Sequence, residues 1–329
     1  MQAMVIEQFG DPSTFQAMER PKPTIKPGHV LIKTTATSVN PFDCKLRKGY
    51  YANLVTHFPM ILHGDVSGVI EAVGEGVALF HPGDEVYGCI GGLLDLDGAL
   101  AEYVLADAKL IAHKPKSLSL QQAAALPLVA LTAWEALITY VKLQPQQTIL
   151  IHGGTGGVGH LAVQLAKHLG ATVSATVSSI DKAHHVKQLG ADNVINYSQT
   201  SVAAYVKQYT NDQGFSVVFD TVGADNLVNC FQAASVHGAV ICISAAGPHD
   251  LTPAFIKGLS LHMVMQPLPL ITGLRRDYYG KILSHIAQLI DHGTIKPLID
   301  PRIFTLSEIA EAHLYLEQGK AIGKVVVTI

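Results

Sequence analysis

The segment Ile151–His160 reads IHGGTGGVGH, five glycines in ten residues, and this density constrains the fold more than any other feature of the chain. Glycine loses more conformational freedom on folding than any other residue. It concentrates where φ must be positive or where a Cβ would collide. The preceding stretch Gln147–Ile151 (QTILI) is a short apolar run with the character of a buried strand. The following stretch Val158–Gly170 carries apolar residues at 158, 161, 162, 165, 166 and 169, the spacing of a helix face. A strand, a glycine turn and a helix therefore follow in order.

In that setting Gly154, Gly156 and Gly159 fit the pattern G-x-G-x-x-G. The first glycine is expected to allow the tight turn, the second to let the backbone approach a pyrophosphate, and the third to pack helix on strand. The amides at the helix N-terminus then face the anion. Gly153, Gly154, Thr155, Gly156, Gly157, Val158 and Gly159 are accordingly expected to cradle a dinucleotide. A mononucleotide loop would need Lys and Ser/Thr after the last glycine, and His160 and Leu161 stand there instead.

The rest of the chain supplies a frame for this turn. Residues 1–120 read as strands and turns, with HVLIKTTATSV (His29–Val39) alternating in part and turn chemistry at Gly74-Glu75-Gly76 and Pro82-Gly83-Asp84. From residue 121 helices alternate with strands expected at 147–151, 172–177, 193–195, 216–220 and 239–243, which implies a parallel sheet covered on both faces. After residue 265 the alternation stops: QPLPLI reads as a loop, KILSHIAQLIDHG and LSEIAEAHLYLEQG as helices, and KVVVTI as a closing strand. The fold class is thus α/β, with a nucleotide domain (121–265) inserted between a β-rich segment (1–120) and a C-terminal return to it (266–329).

Charge excludes several function classes. The net charge is −3 with no basic stripe, which argues against nucleic-acid or membrane partners held by bulk electrostatics. The most apolar stretch, Ala123–Val141, is interrupted by Pro127, Thr132 and Glu135 and suits a buried helix. Cys44, Cys89, Cys230 and Cys242 lack C-x-x-C spacing and fit buried thiols in a reducing compartment. MQAMVIEQFG shows no secretory pattern, so a cytoplasmic protein is expected.

The end of the second strand chooses the cofactor. An NAD site usually carries Asp or Glu there to accept from the ribose 2′-hydroxyl. Here TVSATV runs into Ser178 and Ser179, with Lys182 a short turn further on and Asp181 in register with the start of the next helix. Two hydroxyls and a cation suit a 2′-phosphate, hence NADPH.

Several stretches in order resemble the medium-chain dehydrogenase/reductase superfamily, and more narrowly its zinc-free NADPH:quinone reductases and alkenal/enone oxidoreductases. They are SVNPFDCKLRKGYY (38–51), HGDVSGVIEAVG (63–74), LPLVALTAWEAL (126–137), HGGTGGVGHLAVQLAK (152–167), LGADNVINY (189–197), VVFDTVG (217–223) and GKVVV (323–327). The resemblance implies a GroES-like, partly open β-barrel catalytic domain, an inserted Rossmann domain and a homodimer. It also implies Thr132 near the nicotinamide, Ser178, Lys182 and Tyr197 around the 2′-phosphate, and further cofactor contacts from Val222, Gly223, Ile243, Ser244, Gly323 and Lys324.

Zinc-dependent members carry a cysteine where this chain has Asn40 and Gly-His-Glu where it has His63-Gly64-Asp65, so the metal ligands are missing and no metal is expected. A rearranged site from His63, Asp65 and Cys44 stands as the alternative. Without a Lewis acid, hydride addition to a conjugated acceptor is the accessible chemistry, and the protein must orient a quinone or enone and supply a donor to its oxygen. Asn40, Lys45 and Tyr51 are the candidates, against the plainer readings of a turn former before Pro41, a solvated lysine and a packing aromatic. Lys45 takes a position filled by lysine in enone reductases. The rival functions are a zinc alcohol dehydrogenase and a non-enzymatic NADPH-binding protein.

Overall fold

The computed structural model describes all 329 residues, which divide into two units: Met1–Leu131 with Pro267–Gly293 and Pro297–Ile329, and Thr132–Gln266 with Thr294–Lys296.

The first unit opens with an antiparallel ribbon of β1 (Gln2–Ile6) and β2 (Phe15–Glu19). Next come β3 (His29–Val39), β4 (Asp65–Val73), β5 (Glu85–Cys89), β6 (Tyr103–Asp107) and β7 (Ile111–His113). β3 pairs with both β4 and β6, so the alternation in its sequence does not become one wet and one dry face. Even Thr34, Thr37 and Ser38 are buried.

Between β3 and β4, in a stretch read from sequence as strands and turns, the chain forms a helix, α1 (Pro41–Arg47). Proline at the first helical position brings a preset φ and lacks only an N–H that would go unpaired. The Asp43 carboxylate accepts from the Asn40 backbone N–H at 2.8 Å and closes the first turn. Helices α2 (Leu120–Ala124) and α3 (Pro127–Trp134) follow, the latter running into a π-helical turn over Glu135–Tyr140. α2 packs on β3, β4 and β5, so the unit boundary falls after Leu131, beyond the change of sequence texture at residue 120.

The second unit contains β8 (Thr148–His152), α4 (Gly157–His168), β9 (Thr172–Val177), α5 (Ile180–Gln188), β10 (Asn193–Asn196), α6 (Val202–Thr210), β11 (Phe215–Asp220), α7 (Asn226–Ala233), β12 (Ala234–Cys242), α8 (Thr252–Ile256) and β13 (Ser260–Met263). All six strands run parallel in the order β10-β9-β8-β11-β12-β13, the Rossmann arrangement. Strand order reverses between β8 and β11. β13 escapes the sequence pattern because it is four residues long and pairs on one side only.

The chain then returns to the first unit with α9 (Leu268–Thr272), α10 (Arg276–Asp291), β14 (Ile299–Thr305), α11 (Ile309–Glu317) and β15 (Lys324–Thr328). QPLPLI thus forms a short helix and not a loop, since its prolines lie at the helix start, where they are tolerated. β14 and β15 complete a sheet ordered β14-β15-β3-β4-β5-β7, with β6 on β3. No helix is long and apolar enough to cross a membrane.

The glycine turn sits directly on the β8–α4 junction. A Cβ on Gly159 would lie 2.1 Å from the Gly153 carbonyl oxygen, inside any tolerated contact. Gly→Ala inside a helix normally gains about 0.5–1 kcal/mol from propensity, whereas overpacking costs about 1–3 kcal/mol. Gly159→Ala is therefore expected to lower the melting temperature by several degrees, and a gain in stability would contradict the packing described.

Candidate active site

In the glycine loop, the positive φ of +74° belongs to Gly153 rather than Gly154. Gly154 is required for another reason: its Cβ would stand 2.9 Å from Ala175 Cβ and 3.0 Å from Val186 Cγ2, against β9 and α5. Thr176 fastens the loop to β9, its hydroxyl accepting from the Gly153 N–H (3.1 Å) and its carbonyl from the Gly154 N–H (3.0 Å). A Cβ on Gly156 would meet only the Gly153 carbonyl oxygen, at 3.2 Å. Gly156 is the N-cap of α4 and offers no side-chain oxygen, so the first amides of α4 keep their affinity for an anion.

The neighbouring strand ends complete this edge of the sheet. Ser178 is exposed just past β9, and Tyr197, 58 % exposed, lies beside it because its backbone N–H donates to the Val177 carbonyl (3.2 Å). The Ser179 hydroxyl caps α5, accepting from the Lys182 backbone N–H at 3.3 Å. No carboxylate terminates β9, and Asp181 is exposed on the first turn of α5. After β11 the buried Asp220 Oδ1 accepts from the Val222 N–H (3.0 Å), the Gly223 N–H (3.0 Å) and Asn226 Nδ2 (2.9 Å), which shapes the loop there. Gly223, at φ +81°, has no room for a Cβ because the Ser244 carbonyl oxygen would be 2.3 Å away. Gly153, Ser178, Tyr197, Val222 and Gly223, and Ile243 and Ser244 thus follow the C-terminal ends of β8 to β12, where ligands bind in such sheets. Thr132 is buried in α3.

Sequence reasoning missed His152, the last residue of β8. It is buried, its Nδ1 lies 3.4 Å from Thr176 Oγ1 and its Nε2 has no partner. Burial pulls its pKa down to about 4, against the opposing pull of Asp220.

In the first unit, Asn40 is fully buried at the N-cap of α1. Its Nδ2 donates to Asp65 Oδ2 (2.8 Å), and its Oδ1 accepts from the Lys324 ammonium. Asn40 therefore faces the protein interior and does not offer the open donor expected of it. Lys324, expected to meet the cofactor, is likewise buried, with Nζ 3.5 Å from Asp65 Oδ2. Gly323 keeps φ +75° because the Leu298 carbonyl oxygen would be 2.1 Å from its Cβ. Lys45 on α1 and Tyr51 just past it are half-buried, and the Tyr51 ring packs on Phe42 with centroids 5.5 Å apart. Asp43 is pushed up to about 7, chiefly by burial and next by the Asp65 charge.

The rearranged metal site does not form. Arg47, fully buried, can only donate, and its Nε points at His313 Nδ1 (3.3 Å). His313 Nε2 must then donate to His63 Nε2 (2.9 Å), and His63 Nδ1 to Thr37 Oγ1 (3.2 Å). The Thr37 hydroxyl donates in turn to the Asp65 carbonyl (2.6 Å). Both nitrogens of His63 are committed, and Cys44, its thiol pKa raised by burial, lies 3.3 Å from His313 Nδ1. No group of three or more His, Cys, Asp or Glu side chains is arranged to hold a metal ion. His313 was visible as a histidine at a core position of α11, spaced with Ile309 and Ala312, but its partners lie far away in sequence.

Residues 26–116 match the alcohol dehydrogenase GroES-like domain, and residues 189–327 the family described as zinc-binding dehydrogenase. The chain is 36 % identical to 2-methylene-furan-3-one reductase of Solanum lycopersicum, covering 93 % of this chain and 73 % of that protein. The chain belongs to the medium-chain dehydrogenase/reductase superfamily. An alcohol dehydrogenase superfamily protein from Novosphingobium aromaticivorans shares its structure with a TM-score of 0.95 at 35 % identity, covering 100 % of this chain and 99 % of the other. The Escherichia coli quinone oxidoreductase solved with NADPH gives a TM-score of 0.89 at 25 % identity over all of both chains. The two units are therefore the superfamily's GroES-like and Rossmann-like domains.

The buried imidazoles set the response to acid. Desolvation lowers His63 to about 3, His152 to about 4 and His313 well below its ordinary 6.5, while Asp43 rises from 3.8 to about 7. Between pH 4 and 6.5 the unfolded chain holds three imidazole protons that the folded chain lacks, and the folded chain holds one on Asp43. Unfolding there takes up about two protons, so stability falls on acidification by roughly 3 kcal/mol per pH unit. Melting temperatures across this range should drop steeply below pH 6.5, and a flat profile would contradict the buried neutral pair.

Proposed function

We propose that this protein is an NADPH-dependent, zinc-independent reductase of quinones or α,β-unsaturated carbonyls. The observation that carries the reading is the pairing of the glycine turn before α4 with a β9 tip that runs into Ser178 and no carboxylate, with Tyr197 bonded beside it through its backbone and Lys182 on the first turn of α5. The superfamily's metal position is filled by Asn40, itself tied to Asp65 and Lys324. NADPH, when bound, supplies the hydride.

In this reading the amides of Gly157 and Val158 meet the pyrophosphate, while the Gly156 N–H closes the turn on the Gly153 carbonyl (2.9 Å) and Gly154 lets the loop lie flat against β9. Ser178 and Tyr197 donate hydroxyls to the 2′-phosphate and Lys182 its ammonium. Charge-assisted bonds of this kind contribute about 1.5–3 kcal/mol each. Thr132, Val222, Ile243 and Ser244 line the path of the nicotinamide half. Lys45 and Tyr51 carry the donors on α1 and just beyond it, and one of them protonates or hydrogen-bonds the acceptor oxygen as charge builds there. Lysine at position 45 favours enones, in keeping with the name of the Solanum lycopersicum relative. The reading includes a homodimer, on the family resemblance, and a cytoplasmic location, on four cysteines that form no disulfide.

Purified protein is expected to oxidise NADPH with a benzoquinone or a short enone at a rate unchanged by EDTA. EDTA-sensitive alcohol oxidation, or one zinc per chain by metal analysis, overturns the reading. Lys182→Ala should raise the KM for NADPH about tenfold, one charge-assisted bond's worth, and leave that for NADH within about twofold. Equal effects on both cofactors remove Lys182 from the 2′-phosphate.

A further inference from the structure

One buried carboxylate ties together four elements of the GroES-like domain. Asp65, at the start of β4, is fully excluded from solvent. Its Oδ2 accepts from the Ser38 hydroxyl of β3 (2.7 Å) and from Asn40 Nδ2 (2.8 Å), and faces Lys324 Nζ of β15 at 3.5 Å. Its Oδ1 accepts from the Leu128 backbone N–H in the first turn of α3 (2.7 Å). Lys324 also donates to the Val39 carbonyl (3.3 Å) and to Asn40 Oδ1.

The two charges therefore grip Asn40 from both ends, the ammonium on its oxygen and the carboxylate on its nitrogen. Rotating that amide by half a turn would set its NH2 against an ammonium and its oxygen against a carboxylate, so a single orientation survives. Asn40 is the N-cap of α1, and α1 carries Lys45 and leads into Tyr51. Stability alone does not call for such a pair, because neutral residues of similar volume replace a buried ion pair without loss in many cores.

We propose that Asp65 and Lys324 are positioning residues of the reduction: acting through Asn40, this internal pair fixes how α1 presents Lys45 and Tyr51. The proposal rests on the reductase reading above. Neither residue meets substrate; each acts through the groups it holds. Displacement of a reacting group by about 1 Å costs on the order of a hundredfold in rate, so loss of the grip should act on turnover.

The test compares charge-deleting with charge-keeping variants by melting temperature, kcat for enone or quinone reduction, and NADPH affinity by fluorescence. Lys324→Met alone strands the Asp65 charge and should unfold readily. The double variant Asp65→Asn/Lys324→Met leaves no charge stranded, and should melt within a few degrees of the wild type and bind NADPH within twofold while kcat falls about 10- to 100-fold. Lys324→Arg, which keeps the charge, should retain kcat within about threefold.

A folded double variant with wild-type kcat overturns the proposal and leaves the reductase reading intact. If the double variant does not fold, Asp65→Asn/Lys324→Gln decides: it keeps N–H donors and leaves no charge stranded, and an unchanged kcat overturns the proposal while a fall of at least fivefold at constant NADPH affinity supports it. A wild-type protein that reduces no quinone or enone overturns both readings together.

Discussion

Helix α4 approaches the turn before it so closely that the Gly153 carbonyl occupies the space a side chain at Gly159 would need. This backbone-on-backbone contact fixes the angle at which the helix leaves β8, and with it the direction of the amides that its first turn leaves unpaired. The neighbouring strands are arranged around the same point. Thr176 of β9 holds the loop from one side, and on the other the Thr221 hydroxyl after β11 donates to the His152 carbonyl (2.6 Å). The reversal of strand order between β8 and β11 opens the sheet edge there, and the contact keeps that opening lined with main-chain donors.

The GroES-like domain solves a different problem, that of burying charge and imidazole together. Asp65 has four donors within reach, and the Arg47–His313–His63–Thr37 chain runs in one direction because its first member can only donate. Arg47 is balanced at its other end by Glu317 (2.6 Å). Buried polar networks are favourable when every member is satisfied and costly otherwise. Here both ring nitrogens of His63 are committed to bonds within this core.

The parts legible in the sequence were those in which neighbours along the chain do the work. The strand–glycine–helix order, the alternation from β8 to β12, and the serines in place of an acid after β9 all depend on residues a few positions apart, and periodicity or turn chemistry reports them. The α1 helix was hidden in a segment rich in turn formers, where Pro41 and Asp43 mark a helix start as readily as a turn. The tight turn expected at Gly154 draws its positive φ from Gly153, while β9 and α5 pack against Gly154 and leave no room there for a side chain.

The sequence by itself determined that a dinucleotide-type turn exists and that its second strand ends without a carboxylate, and it puts Asn40 where the resemblance implies a cysteine in zinc-dependent members. Only the tertiary structure decided where Asn40, Asp65, Lys324, His63 and His313 point. Lys324 lies 284 positions from Asn40, and His313 lies 250 from His63. No local pattern reports whether a polar side chain faces solvent or another polar side chain so distant in sequence. Desolvation makes that difference large, turning residues that look like surface groups into the fixed interior of a domain.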